Sequence, residues 1–154
     1  MSFEQKLQNY LDHNGLKSTK QRKVILDVFL KLGSHCSLEQ LLGAVQKVMP
    51  QIGLATIYRT MRLFVEAKIA HEHRFEDGLM RYEPYHEGEH HDHLICTLCG
   101  KILEFEDDII EQRQQVVAKS HGMRIISHTL EIYGVCENVE TCENYDHKNK
   151  TPVI

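Results

Sequence analysis

Apolar residues in the first third of the chain recur every three to four positions. Phe3, Leu7, Tyr10 and Leu11 share one helical face, and Val24, Ile25, Val28, Phe29 and Leu32 form a second run after Ser18-Thr19 that stops at Gly33. The spacing predicts helices over 3–13 and 19–32. A third begins after Ser37, carries Leu38, Leu41, Leu42, Val45 and Val48, and ends at Pro50. A fourth, over 54–67, turns Leu54, Ile57, Met61 and Phe64/Val65 inward and leaves Thr56, Tyr58, Arg59 and Arg62 outward. The short turn with Gly53 between the last two predicts a helix-turn-helix.

The period then changes. AKIAHEHRFE and GLMRYEP, separated by Glu76-Asp77-Gly78, predict a β-hairpin, and helices followed by such a hairpin make a winged helix. Pro84 to Glu89 predicts a hinge. Beyond it HLIC and KILEF predict two strands around a cysteine pair, 107–120 a helix, and 123–135 a further strand. The fold class expected is α+β, with boundaries at 1–83, a hinge at 84–92, and a second small α/β unit at 93–154.

Length and composition agree with this division. The 154 residues suffice for one ordinary domain or two small ones, and 42% hydrophobic with 26% charged residues describes a chain able to bury a core. No apolar run approaches the ~18 residues of a membrane span, and MSFEQKLQNY is too polar for a signal peptide, so a cytoplasmic protein without membrane contact is expected. The net charge of −4 conceals an asymmetry: residues 1–83 carry 12 Lys/Arg against 9 Asp/Glu, whereas 84–154 carry 6 against 13 and hold seven of the eleven histidines. The second part suits cations. In the first, Lys17, Lys20, Arg22, Lys23, Arg59 and Arg62 surround the helix-turn-helix. Such groups contact phosphates, while Ala55 and Thr56 are small enough to lie against thymine methyls.

Five cysteines in a reducing compartment read as metal ligands or buried thiols. Cys96 and Cys99, followed by Gly100, form a knuckle that aims two thiolates at one Zn²⁺, and Cys136 with Cys142 can complete a structural tetrahedron. Five residues separate that second pair, more than the usual two to four, which leaves small buried thiols as the competing reading. Cys36 stands apart as an incidental thiol. In Glu89-His90-His91-Asp92-His93, strand alternation turns His91 and His93 one way and His90 and Asp92 the other, so one run can serve two sites of imidazole and carboxylate. His86-Glu87-Gly88-Glu89-His90 matches the metalloprotease pattern HExxH, but Pro84 and Gly88 disfavour the helix that pattern needs; a zinc hydrolase is not expected.

GLKSTKQR, IGLATIYRTMRLF, HHDHLICTLCGKILEF and HGMRIISHTLEIYGVC together resemble the ferric uptake regulator family of bacterial metal-dependent transcription factors, from about Lys6 to Cys142. The resemblance implies an N-terminal winged-helix DNA-binding domain, a C-terminal dimerisation domain, a homodimer or tetramer on a double-stranded operator, and repression of iron-uptake genes. It implies a regulatory site of His35, Glu83, His91, His93 and Glu104 for Fe²⁺, or for Mn²⁺ or Zn²⁺ in related sensors. A second site would use His90, Asp92, Glu111 and His128, and structural zinc would sit on Cys96, Cys99, Cys136 and Cys142. Lys17, Thr56, Tyr58 and Arg59 would contact DNA. Glu rather than Asp at position 83 leans toward iron sensing and away from peroxide sensing.

Overall fold

The computed structural model describes residues 1–33, 35–76, 78–86, 91–138 and 142. The chain divides into two compact units, Met1–Glu87 and Gly88–Ile154.

In the first unit, helix α1 (Phe3–His13) opens with a capping box in which Ser2 and Gln5 satisfy each other's backbone N–H. Helix α2 (Lys20–Leu32) is capped by Thr19, whose hydroxyl accepts from Arg22 N, and ends at Gly33 in the left-handed region, φ +66°, where a side chain would be strained. Ser37 and Gln40 form a second capping box ahead of α3 (Leu38–Gln46), and α4 (Leu54–Glu66) follows Gly53. Strands β1 (Ala70–Arg74) and β2 (Met80–Pro84) form an antiparallel hairpin with Ala70 opposite Pro84 and His71 opposite Glu83. Leu11, Ile25, Phe29, Leu41, Ile57, Met61, Phe64 and Ile69 are fully buried in one core shared by the helices and the hairpin.

Helix α3 is shorter than its apolar periodicity predicts. It stops at Gln46, and Val48 is exposed, because the chain turns here to carry Ile52 into the core, with the Gln46 side chain donating to the Ile52 carbonyl at 3.0 Å. Leu54 also faces outward, while Thr60 and Leu63 join the inner side of α4.

The second unit is a three-stranded sheet of order β4-β3-β5. Strand β3 (Asp92–Cys96) is central, antiparallel to β4 (Ile102–Phe105) and parallel to β5 (Glu131–Gly134). Between β4 and β5 runs α5 (Asp108–Ser120), capped by Asp107 Oδ1, which accepts from Ile109 N and Ile110 N. The strand predicted over 123–135 is confined to its last third. Residues 131–134 are in register with the short β3, and Met123 and Ile126 are exposed. Helix α5 buries no residue within the chain. Among the described residues no helix is long and apolar enough to cross a membrane.

Phe29 lies at the centre of the first core, its ring 6.4 Å from that of Phe64. Phe29→Ala is expected to cost about 3–5 kcal/mol through lost burial and an unfilled cavity. Urea unfolding of the full chain measures it; a loss below about 1 kcal/mol would show that the core does not depend on this ring.

Candidate metal centres and nucleic-acid interface

One donor group, within the first unit, is positioned by a bridge of backbone hydrogen bonds. Cys36 and Tyr82 exchange N–H to carbonyl bonds at 2.9 Å in antiparallel register, which sets His35, one residue earlier, opposite Glu83, one residue later. His35 Nε2 lies 3.2 Å from Glu83 Oε2, and both side chains are almost wholly buried. The other oxygen, Glu83 Oε1, is 2.6 Å from His73 Nε2 and 3.8 Å from His71 Nδ1. A carboxylate withdrawn from water in this way is costly unless hydrogen bonds or positive charge compensate it. Cys36 itself is buried in the core, and that burial pushes its thiol up to about 11, in keeping with an inert packing role.

In the second unit the alternation of β3 separates two donor groups. His93 pairs across the sheet with Glu104 on β4; the His91 ring stands edge-on to that of His93 at 5.2 Å, and His91 Nε2 is 4.0 Å from Glu104 Oε1. Asp92 points to the opposite face. His128 Nε2 is there 3.7 Å from Asp92 Oδ1 and 3.1 Å from Glu111 Oε1, so a loop residue, a strand residue and a first-turn residue of α5 converge. Asp92 and His93 are only 1% and 2% exposed, unusual burial for polar side chains on adjacent strand positions. His90, expected beside Asp92, falls outside the described residues, as do Glu87, Gly88 and Glu89 of the HExxH pattern.

The four cysteines come together. Cys96 closes β3, residues 97–99 turn, and Gly100 at φ +69° returns the chain so that Gly100 N bonds the Cys96 carbonyl at 2.9 Å. Cys99 Sγ lies 3.7 Å from Cys136 Sγ and 3.4 Å from Cys142 Sγ, and Cys136 N donates to Cys96 Sγ at 3.3 Å. Zinc–sulfur bonds of about 2.3 Å in a tetrahedron require sulfurs about 3.8 Å apart, and the sulfurs of Cys96, Cys99 and Cys136, within 4.8 Å of one another, suit a structural zinc. Despite the wide gap before it, Cys142 reaches Cys99. Burial by itself would raise the Cys96 thiol, but backbone N–H groups of Cys99, Cys136 and Leu98 outweigh it and bring it down to about 6. Burial and the neighbouring sulfurs push Cys99 up to about 12. Zinc is ligated by thiolates, so binding displaces the protons that the thiols hold.

The basic face of the first unit is partly committed. Tyr58 and Arg59 project from α4 into solvent, and Thr56 is half-buried beside them. Arg62 reaches back to Glu66 at 3.9 Å, and Arg22 donates to the Lys17 carbonyl, leaving the exposed Lys17 ammonium on the surface. The same geometry reveals His71 and His73, which the sequence reading passed over. The signal was present: two histidines at alternate positions of a predicted strand, the pattern already used for His91 and His93.

Cys142→Ser is expected to lower zinc retention, because it removes a sulfur in contact with Cys99, whereas Cys36→Ser should leave zinc content unchanged. Metal analysis after dialysis against a chelator separates the two; full retention in Cys142→Ser would exclude Cys142 as a ligand.

Residues 13–133 match the family described as "Ferric uptake regulator family". The Ferric uptake regulation protein of Campylobacter jejuni is 38% identical over 148 residues, spanning 95% of this chain and 92% of the relative. The Helicobacter pylori ferric uptake regulator Fur, a structure with three functional metal binding sites, superposes with a TM-score of 0.81 at 30% identity, covering 93% of this chain and 97% of the other. A zinc-bound manganese uptake regulator superposes with a TM-score of 0.72 at 40% identity, covering 84% and 98%. With its helix-turn-helix, wing and donor clusters in place, the chain belongs to the ferric uptake regulator family.

Proposed function

We propose that this regulator, which belongs to a family of metal-responsive transcription factors and not of enzymes, represses iron-uptake genes in the cytoplasm with Fe²⁺ as co-repressor. It binds a double-stranded operator as a homodimer, with Zn²⁺ as a structural ion. The observation that carries this reading is the buried pairing of His35 with Glu83 at 3.2 Å in the DNA-binding unit. It is one half of a ligand set whose other half is His91, His93 and Glu104. A divalent ion shared by these donors adds positive charge beside the buried Glu83 carboxylate. Because His35 and Glu83 are anchored by the Cys36–Tyr82 bridge, restraint on them is restraint on the wing and, through the common core, on α4.

On DNA, α4 presents Tyr58 and Arg59 to the major groove, with Thr56 beside them and Lys17 on the phosphates. Two copies of α4 must reach half-sites about 34–36 Å apart or a multiple of it. Holding each first unit at one angle to its second unit then selects one separation of the reading helices. Support for the homodimer comes from apolar surface that one chain leaves uncovered: Leu94, Leu103 and Ile132 on the sheet and Ile109, Val116 and Val117 on α5. A helix with no buried residue gains its stability elsewhere, and a second copy provides the missing contact. Asp92, Glu111 and His128, with His90, form a further site in the second unit.

Titration of operator binding with Fe²⁺, Mn²⁺ and Zn²⁺ in turn tests the choice of ion; the manganese regulator among the relatives makes Mn²⁺ the principal rival. His35→Ala should abolish the metal-induced gain in operator affinity, a factor of about 5–150 for typical couplings, while sedimentation still shows a dimer. A full gain in that variant would refute the bridging role. Arg59→Ala should weaken DNA binding by about 1–3 kcal/mol at every metal concentration, and unchanged affinity would remove Arg59 from the interface.

A further inference from the structure

We propose that the wing hairpin carries its own divalent-cation site, formed by His71 Nδ1, His73 Nε2 and Glu83 Oε1, distinct from the set built on His35. All three donors belong to the first unit, so the proposal does not depend on the regulatory reading. Strand alternation puts His71 and His73 on one face of β1, and the register sets Glu83 directly opposite His71 on the same face. The three ligand atoms lie within 4.8 Å of one another. The carboxylate oxygen is 2.6 Å from one imidazole nitrogen and 3.8 Å from the other. Nitrogen and oxygen ligands at about 2.0–2.2 Å from a metal stand about 3.4 Å apart in a tetrahedron, and both distances to Glu83 Oε1, 2.6 and 3.8 Å, lie within an ångström of that value.

Two imidazoles and one carboxylate select a first-row divalent ion such as Fe²⁺, Mn²⁺, Co²⁺ or Zn²⁺ over Mg²⁺ or Ca²⁺. The site is also accessible. His71 is 56% exposed in its side chain, against 15% for His73 and 8% for Glu83, so water reaches the remaining coordination positions from the His71 side. Arg81, opposite His73 and the cation closest in register, lies over the Phe75 ring at 5.4 Å, and the His73 ring stacks on the other partner of that contact at 5.9 Å. Glu83 thereby acts as a two-sided carboxylate, Oε2 toward His35 and Oε1 toward the wing histidines. The competing account is that His73 merely orients Glu83 through their hydrogen bond. That account does not use the convergence of His71 Nδ1 on the same carboxylate oxygen at 3.8 Å.

The full chain, titrated with Co²⁺ and assayed for bound metal by equilibrium dialysis, decides between them. The double variant His71→Ala/His73→Ala should bind one Co²⁺ fewer per chain than the wild type, and adding His91→Ala should remove a further equivalent. An unchanged count in the double variant overturns the wing site. So does a triple variant that loses no more than His91→Ala alone, since the wing histidines would then serve the same ion as His91. Failure of the regulatory reading appears separately, as an unchanged count in His91→Ala by itself. Wild-type protein labelled with ¹⁵N-histidine needs no substitution: Zn²⁺ should shift the His71 Nδ1 and His73 Nε2 resonances, and absence of both shifts overturns the proposal even if a variant fails to fold.

Discussion

Glu83 is a carboxylate taken out of water at the edge of the winged-helix core, and the surrounding structure is arranged to compensate it. The Cys36–Tyr82 bridge fixes His35 against one oxygen, and the hairpin register fixes His71 and His73 near the other. Each contact is backbone-determined, so the imidazoles are presented at defined distances without relying on flexible side chains. Buried charge of this kind contributes little to net stability, but it is specific about which partner completes it.

Strand pleating does the equivalent sorting in the second unit. Four polar residues in succession would ordinarily mark a solvated loop, yet Asp92 and His93 are buried on opposite faces of the central strand and join different donor groups. The same strand ends in Cys96, so the thiolate cluster and both imidazole-carboxylate groups share one rigid element. Softer thiolate chemistry is kept apart from the borderline imidazole chemistry by only a few residues.

The apolar surface of the second unit belongs to the same logic. A small sheet whose faces carry ligands has few positions left for a core, and Leu94, Leu103 and Ile132 stay exposed in the single chain. Association between copies offers that surface the burial the chain cannot provide alone.

Much of this was legible before any coordinates. Helices α1, α2 and α4, the hairpin and strands β3 and β4 follow from apolar periodicity and capping residues, because local periodicity and local hydrogen bonding decide whether a segment is helix or strand. The CxxC knuckle and the His91/His93 alternation were legible for the same reason. What only the tertiary structure decided depends on partners distant along the chain. The end of α3 was set by Ile52 entering the core, the length of β5 by the few residues β3 offers it, and the contact of Cys142 with Cys99 is one that spacing alone made doubtful. His71 and His73 acquire chemical meaning only when the hairpin register places Glu83 across from them, since cross-strand pairing is a property of two segments and not of either one.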